Sequence, residues 1–146
     1  MKNLDELIKN LKGTFVTEVI CGGNFNGSVV ILTFNNRYSL TIQCVWRLTD
    51  HANVLASWNE ADNSVGSHFE INVTSLSGDF LSEIHVNNFF DLQLIFDSGK
   101  ILIVFCDINS FFDEEYFDEN WYLSDKEENV SLGIGRGNNI IQGTYS

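Results

Sequence analysis

The chain has 146 residues, enough for one domain with a sizeable core, and 44% of them are hydrophobic. Twenty acidic residues against eight basic ones give a formal net charge of −12, a field that repels phosphate backbones and anionic lipid and attracts basic proteins or cations. Direct nucleic-acid and membrane-surface binding are therefore not expected, and no run of about 18 apolar residues is present to span a bilayer as a helix.

The opening segment MKNLDELIKNLKG predicts an amphipathic helix. Leu4, Leu7, Ile8 and Leu11 fall on one face, Asn3 is placed to cap the first turn, and Gly13 ends the helix. It has no apolar h-region, so it does not read as a secretory signal, and a cytoplasmic location is expected. Period-two alternation follows. TFVTEVI and SVVILTF read as strands, and a turn at Asn35-Asn36-Arg37 leads into YSLTIQCVWRL, read as a further run of strand.

The second half follows the same order. FVTEV (15–19) returns as FLSEI (80–84), and VILTFNNRYSLTIQC (30–44) aligns without gaps on LQLIFDSGKILIVFC (92–106). WRLTD (46–50) returns as WYLSD (121–125), each followed by Asn-Val, and Gly13 matches Gly78. The first helix matches FEINVTSL (69–76), where Phe69, Val73 and Leu76 keep helical spacing. Ordered matches of this kind predict an internal duplication within one α+β domain (1–146): a helix plus a four-stranded antiparallel sheet in 1–65, and again in 66–146, with the two sheets packed together. Val30, Leu32, Phe34, Leu40, Ile42, Cys44 and Trp46 are expected to face the core from the first sheet, and Leu92, Leu94, Phe96, Leu102, Val104 and Cys106 from the second. Cys21, Cys44 and Cys106 lie in or beside apolar runs and read as buried thiols rather than a disulfide framework.

The copies differ in two places. Where the first has Ser39, Thr41 and Gln43 on its outward face, the second has Ile101, Ile103 and Phe105. Three apolar side chains on an outer face call for a cover, either from the protein's own helices or loop or from a dimer partner. The second difference is an insertion. One residue separates Cys44 from Trp46, but fourteen (107–120) separate Cys106 from Trp121, and DINSFFDEEYFDENW (107–121) holds six carboxylates, five aromatic rings and no basic residue.

Signatures of chemistry are scarce. His51, His68 and His85 have no metal-ligand spacing, no nucleophile stands in a recognisable context, and GIGRG (133–137) reads as an edge strand and turn rather than a phosphate loop. The acidic stretch lacks the order of a calcium loop. The chain is not expected to be an enzyme, and no cofactor or metal is expected.

A duplicated helix plus four-stranded sheet resembles the Whirly architecture of single-stranded DNA-binding proteins, although the basic lysine–glycine–lysine segment of those proteins has no counterpart here. Size, acidity, low proline content and architecture together resemble the immunity proteins of contact-dependent growth-inhibition systems. That resemblance implies a cytoplasmic bacterial antitoxin that binds and neutralises a basic toxin domain, a nuclease above all, by charge complementarity. The carboxylates of Asp113, Glu114, Glu115, Asp118 and Glu119 are the candidates to mimic phosphate charge, with Phe112 and Tyr116 as anchors. A structural protein dimerising through Ile101, Ile103 and Phe105, and a calcium-responsive module, are the alternative readings.

Overall fold

The computed structural model describes residues 3–23, 29–58, 60, 62–106, 119–135 and 140–143, with Glu119 described by its backbone alone. The helix α1 (Leu4–Leu11) forms where the apolar spacing placed it, with the Asn3 side chain accepting from the Glu6 N–H at 2.9 Å. Its apolar face, Leu4, Leu7, Ile8 and Leu11, is buried. A second short helix, α2 (His68–Thr74), is capped by Ser67, whose hydroxyl accepts from the Glu70 N–H, and it buries Phe69 and Val73.

The rest is antiparallel β structure. In chain order the strands are β1 (Val16–Cys21), β2 (Val30–Phe34), β3 (Tyr38–Ile42), β4 (Trp46–Thr49), β5 (Val54–Ser57), β6 (Leu81–Val86), β7 (Leu92–Phe96), β8 (Ile101–Val104), β9 (Glu119–Asp125), β10 (Val130–Gly135) and β11 (Ile140–Gly143). They form a six-stranded sheet, β1-β2-β3-β9-β10-β11, and a five-stranded sheet, β5-β4-β8-β7-β6. The expected α+β class with two antiparallel sheets is therefore present, but not as two sheets of four strands each built from its own half.

The reason is an exchange. β4 leaves β1–β3 and pairs with β8, and β9 leaves β6–β8 and pairs with β3. Trp46 lies opposite Val104 and Trp121 opposite Ile42, while Leu48 meets Leu102 and Leu123 meets Leu40. This corrects the reading of YSLTIQCVWRL as one run and of Trp46 as a first-sheet residue. At the crossing the Gln43 N–H donates to Asn120 O at 2.8 Å in one sheet, and Val45 O accepts from the Phe105 N–H at 2.8 Å in the other. The backbone changes partner within three residues while the inward alternation Leu40, Ile42, Cys44, Trp46, Leu48 continues unbroken, all five at 1% exposure or less.

A second junction joins the sheets where β1 and β6 begin. Phe15 and Phe80 form an antiparallel bridge, with ring centroids 5.5 Å apart. Around it the Gly13 N–H donates to Leu81 O (2.8 Å) and the Gly78 N–H to Val16 O (2.7 Å). The Val16 N–H reaches Asp79 O (2.9 Å) and the Leu81 N–H reaches Thr14 O (2.8 Å). Both β1–β2 and β6–β7 have a register shift one step further on, at Val16/Glu18 and at Leu81/Glu83. The aspartates of the two repeated pentapeptides also act alike. Asp50 accepts from the N–H groups of Ala52 and Asn53, which holds its carboxyl below the usual range, and Asp125 accepts from those of Glu127 and Glu128.

All the inward positions expected of the two sheets are buried except Cys106, which is half-buried and lies two residues beyond the end of β8. Each fully buried Leu or Phe contributes about 1.5–3 kcal/mol, and the buried residues of both sheets and both helices form one cluster. GIGRG is also placed differently from expectation. Its first three residues lie in β10, an interior strand between β9 and β11, and the edge is β11.

Two glycines fix the turns of this frame. Gly78 has φ +84°, and Gly22 has φ +69° with the Asn63 carbonyl so close that a Cβ would stand 2.5 Å from its oxygen. Gly78→Ala is expected to cost about 1–2 kcal/mol, the left-handed penalty alone. Gly22→Ala should cost distinctly more, since backbone must also move. Urea unfolding midpoints with unchanged m-values check the order of the two.

Candidate functional site

The outer face of the five-stranded sheet is apolar along β8, as the comparison of the two halves predicts. Ile101, Ile103 and Phe105 are all half-buried. The helices pack mainly elsewhere, α1 on β6 and α2 on β5 and β1, and the following loop, the other cover expected from the chain itself, lies outside the described residues. The Arg47 guanidinium lies 5.5 Å from the Phe105 ring centre and shields part of it. Beside it runs a shallow groove of about 320 Å³ lined by His85, Asn87, Asp91, Gln93, Ile103 and Phe105. The outer face of the six-stranded sheet has a groove of the same size with a different lining, including Glu18, Thr33, Arg37, Ser39 and Lys126.

The apolar groove ends at the β6–β7 loop, Asn87–Asp91. Asn87 organises it: its side-chain oxygen accepts from the N–H groups of Phe89 (2.9 Å) and Asp91 (3.0 Å), and its amide nitrogen donates to the Asp91 carboxylate (3.0 Å). The Phe90 N–H donates to Asn87 O at 3.1 Å. Phe90 takes the left-handed conformation, φ +64°, which is unfavourable for a bulky side chain, and its carbonyl accepts the Trp121 indole N–H at 2.8 Å. Phe89, next to it, is 69% exposed.

This loop also holds the residues that flank the acidic insertion. Asp91 accepts the Cys106 N–H at 2.7 Å, one residue before Asp107, and Phe90 accepts from Trp121 just beyond Glu119. Asn120 is fully buried and donates to Gly135 O at 3.2 Å. Glu119 and Asn120 already belong to β9, with Glu119 opposite Gly135, so the strand begins inside the expected 107–120 boundary. Phe112, Asp113, Glu114, Glu115, Tyr116 and Asp118 lie outside the described residues, as does the side chain of Glu119. The structure thus places Cys106 and Trp121, the residues on either side of the acidic stretch, beside the apolar groove, at a loop that the sequence reading had passed over. A signal was present in the loop's own sequence, Asn-Asn-Phe-Phe-Asp: turn-forming side chains flanking two aromatics between strands.

A separate ionic cluster ties the β3 and β9 ends together. The Arg37 guanidinium grips Asp125 through two 2.9 Å bonds, and Asp125 is fully buried. A third contact joins Arg37 to Glu127 at 2.6 Å, and the guanidinium stacks 4.8 Å from the Tyr38 ring centre. The hydrogen bond to Asp125 raises the Arg37 pKa, so this charge is fixed at any pH the fold survives. It is a clamp between strands rather than a reactive centre.

No group of three or more His, Cys, Asp or Glu side chains arranged to hold a metal ion occurs among the described residues, and no described helix is long and apolar enough to cross a membrane. No protein-family model, curated protein or solved structure matches the chain.

Of the cysteines, Cys44 is buried and Cys21 and Cys106 are half-buried, and none of them is in a disulfide. Burial, reinforced by Glu70, pushes the Cys21 thiol up to about 11. The folded protein therefore holds this proton where the unfolded chain, near its ordinary value of 9.0, releases it. Its contribution to stability is full below about pH 9 and is lost as the pH rises to about 11. In the native protein at pH 8, Cys21 is expected to react with iodoacetamide much more slowly than a free cysteine, a difference abolished by denaturant and measurable by peptide mass mapping.

Proposed function

We propose that this chain is an acidic inhibitor of a basic protein, acting as a cytoplasmic immunity protein that occupies the cationic cleft of a nuclease toxin. The observation that supports this reading lies in the residues that flank the acidic stretch: Cys106 and Trp121 are both bonded to the Asn87–Asp91 loop, next to an apolar groove. Charge at that position steers a basic partner toward the surface, and apolar side chains beside it supply short-range contact. The reading takes the chain as a binding protein, not an enzyme, with no cofactor. It also takes the two halves as copies of one ancestral unit, arranged in a Whirly-like architecture. The matched register shifts of β1–β2 and β6–β7 and the reciprocal exchange of β4 and β9 support that view.

The test is kinetic. Asp113, Glu114, Glu115, Asp118 and Glu119 are replaced together by Asn and Gln, and association with a panel of purified basic nuclease toxin domains is followed by stopped flow. The wild-type chain should bind at least one member and inhibit it. The variant's association rate at low ionic strength should fall at least ten-fold, with most of its salt dependence gone. Equal rates for the two proteins would remove this stretch as the contact.

A second reading rests on the half-exposed Ile101, Ile103 and Phe105, which also suit a dimer of this chain. In that case sedimentation equilibrium shows a dimer that Phe105→Glu converts to a monomer.

A further inference from the structure

The most exposed aromatic side chain among the described residues stands on one of the most tightly bonded loops. Phe89 is 69% exposed, yet its own N–H is bonded to Asn87, and the loop closes through the Asn87 N–H to Asp91 O at 3.1 Å. The next residue is held left-handed, a conformation that costs on the order of 1–3 kcal/mol in a non-glycine residue unless its surroundings impose it. Here they do so on both sides, through Asn87 O and the Trp121 indole. A loop whose only task was to join β6 to β7 would need neither an outward Phe nor a strained one. Fixing the backbone that carries a large ring before contact removes part of the ordering cost that a mobile loop would incur on binding.

The surroundings indicate what the ring meets. The residues on either side of it, Asn87 and Asp91, form one end of the groove, whose apolar floor comes from Ile103 and Phe105. Glu83 stands exposed on β6, and the acidic stretch begins one residue after Cys106, which Asp91 holds. The chain carries a net charge of −12, Asp91 lines the groove, and the one cation seen at its floor among the described residues is Arg47 over the Phe105 ring. An exposed ring and an apolar floor on such a surface are complementary to a segment that presents an apolar residue flanked by Lys or Arg.

We propose that Phe89 is a preorganised anchor for a basic segment of a protein partner, which packs against the ring and lays an apolar side chain into the groove of Ile103 and Phe105. The proposal rests on the basic-partner reading above and adds a site to it.

The probe is a displayed library of random twelve-residue peptides, selected on the full chain, with the enriched peptides then synthesised and titrated by fluorescence polarisation. Enriched sequences are expected to pair an aromatic or aliphatic residue with two or more Lys or Arg. Phe89→Ala, at an exposed position, should weaken their binding at least ten-fold with no change in melting temperature. Asn87→Ala, which leaves the ring but removes its scaffold, should weaken binding by a smaller factor. Basic peptides that bind Phe89→Ala as well as wild type would overturn the anchor while leaving the charge reading intact. Peptides that depend on Phe89 but carry no basic residue would overturn the basic partner, and with it the proposal. Failure to enrich any sequence would overturn the site itself.

Discussion

The structure depends on a reciprocal exchange of strands. β4 and β9 each complete the sheet that the other half began, so Trp46 and Trp121 are buried against strands more than fifty residues away in sequence. Neither β3 nor β8 would be an interior strand without the exchange. The junction at Phe15 and Phe80 ties the opposite ends of the sheets by four backbone hydrogen bonds of 2.7–2.9 Å, and its bond lengths leave little slack. Between these two links lies one apolar cluster, closed by the buried faces of two short helices.

The position of the acidic stretch in the chain is related to the exchange. In the first half the crossing takes three residues, Gln43 to Val45, and leaves no room for anything else. In the second half the same crossing, from β8 to β9, is where fourteen residues are inserted between Cys106 and Trp121. Additions at that point disturb neither sheet, because Asp91, Phe90 and Gly135 hold the chain on either side of it. Among the described residues the one deeply buried carboxylate, Asp125, is satisfied by Arg37 and by two backbone N–H groups.

Much of this was legible in the residues themselves. The inward positions could be read because strand alternation has period two and the core accepts only apolar side chains on those positions; twelve of the thirteen residues named for the two sheets are buried, with Cys106 the exception. The first helix could be read from Asn3, its apolar face and Gly13. The exchange could not. Alternation passes through Cys44 and Trp46 without a break, no glycine or proline marks the bend, and a strand's pattern says which face is buried but not which neighbour it bonds. The Asn87–Asp91 loop was hidden for a different reason. A left-handed phenylalanine runs against local preference, and its carbonyl is held in part by the indole N–H of Trp121, thirty-one residues away.

The exchange also affects how the chain reaches its fold. Pairing β3 with β9 joins Tyr38 to Asp125 across most of the sequence, so the contacts that complete each sheet are the ones with the largest loop-closure cost. Folding is then late-committing: hairpins such as β6–β7 form locally, but neither sheet is finished until both have donated a strand. A chain cut between the halves would leave the first fragment with β4 and β5 to give, the second with β9, β10 and β11, and each with an open sheet edge, at β3 or at β8. The open edges of two such fragments would be complementary to one another, and the same pairing is open to two chains that exchange strands between molecules rather than within one.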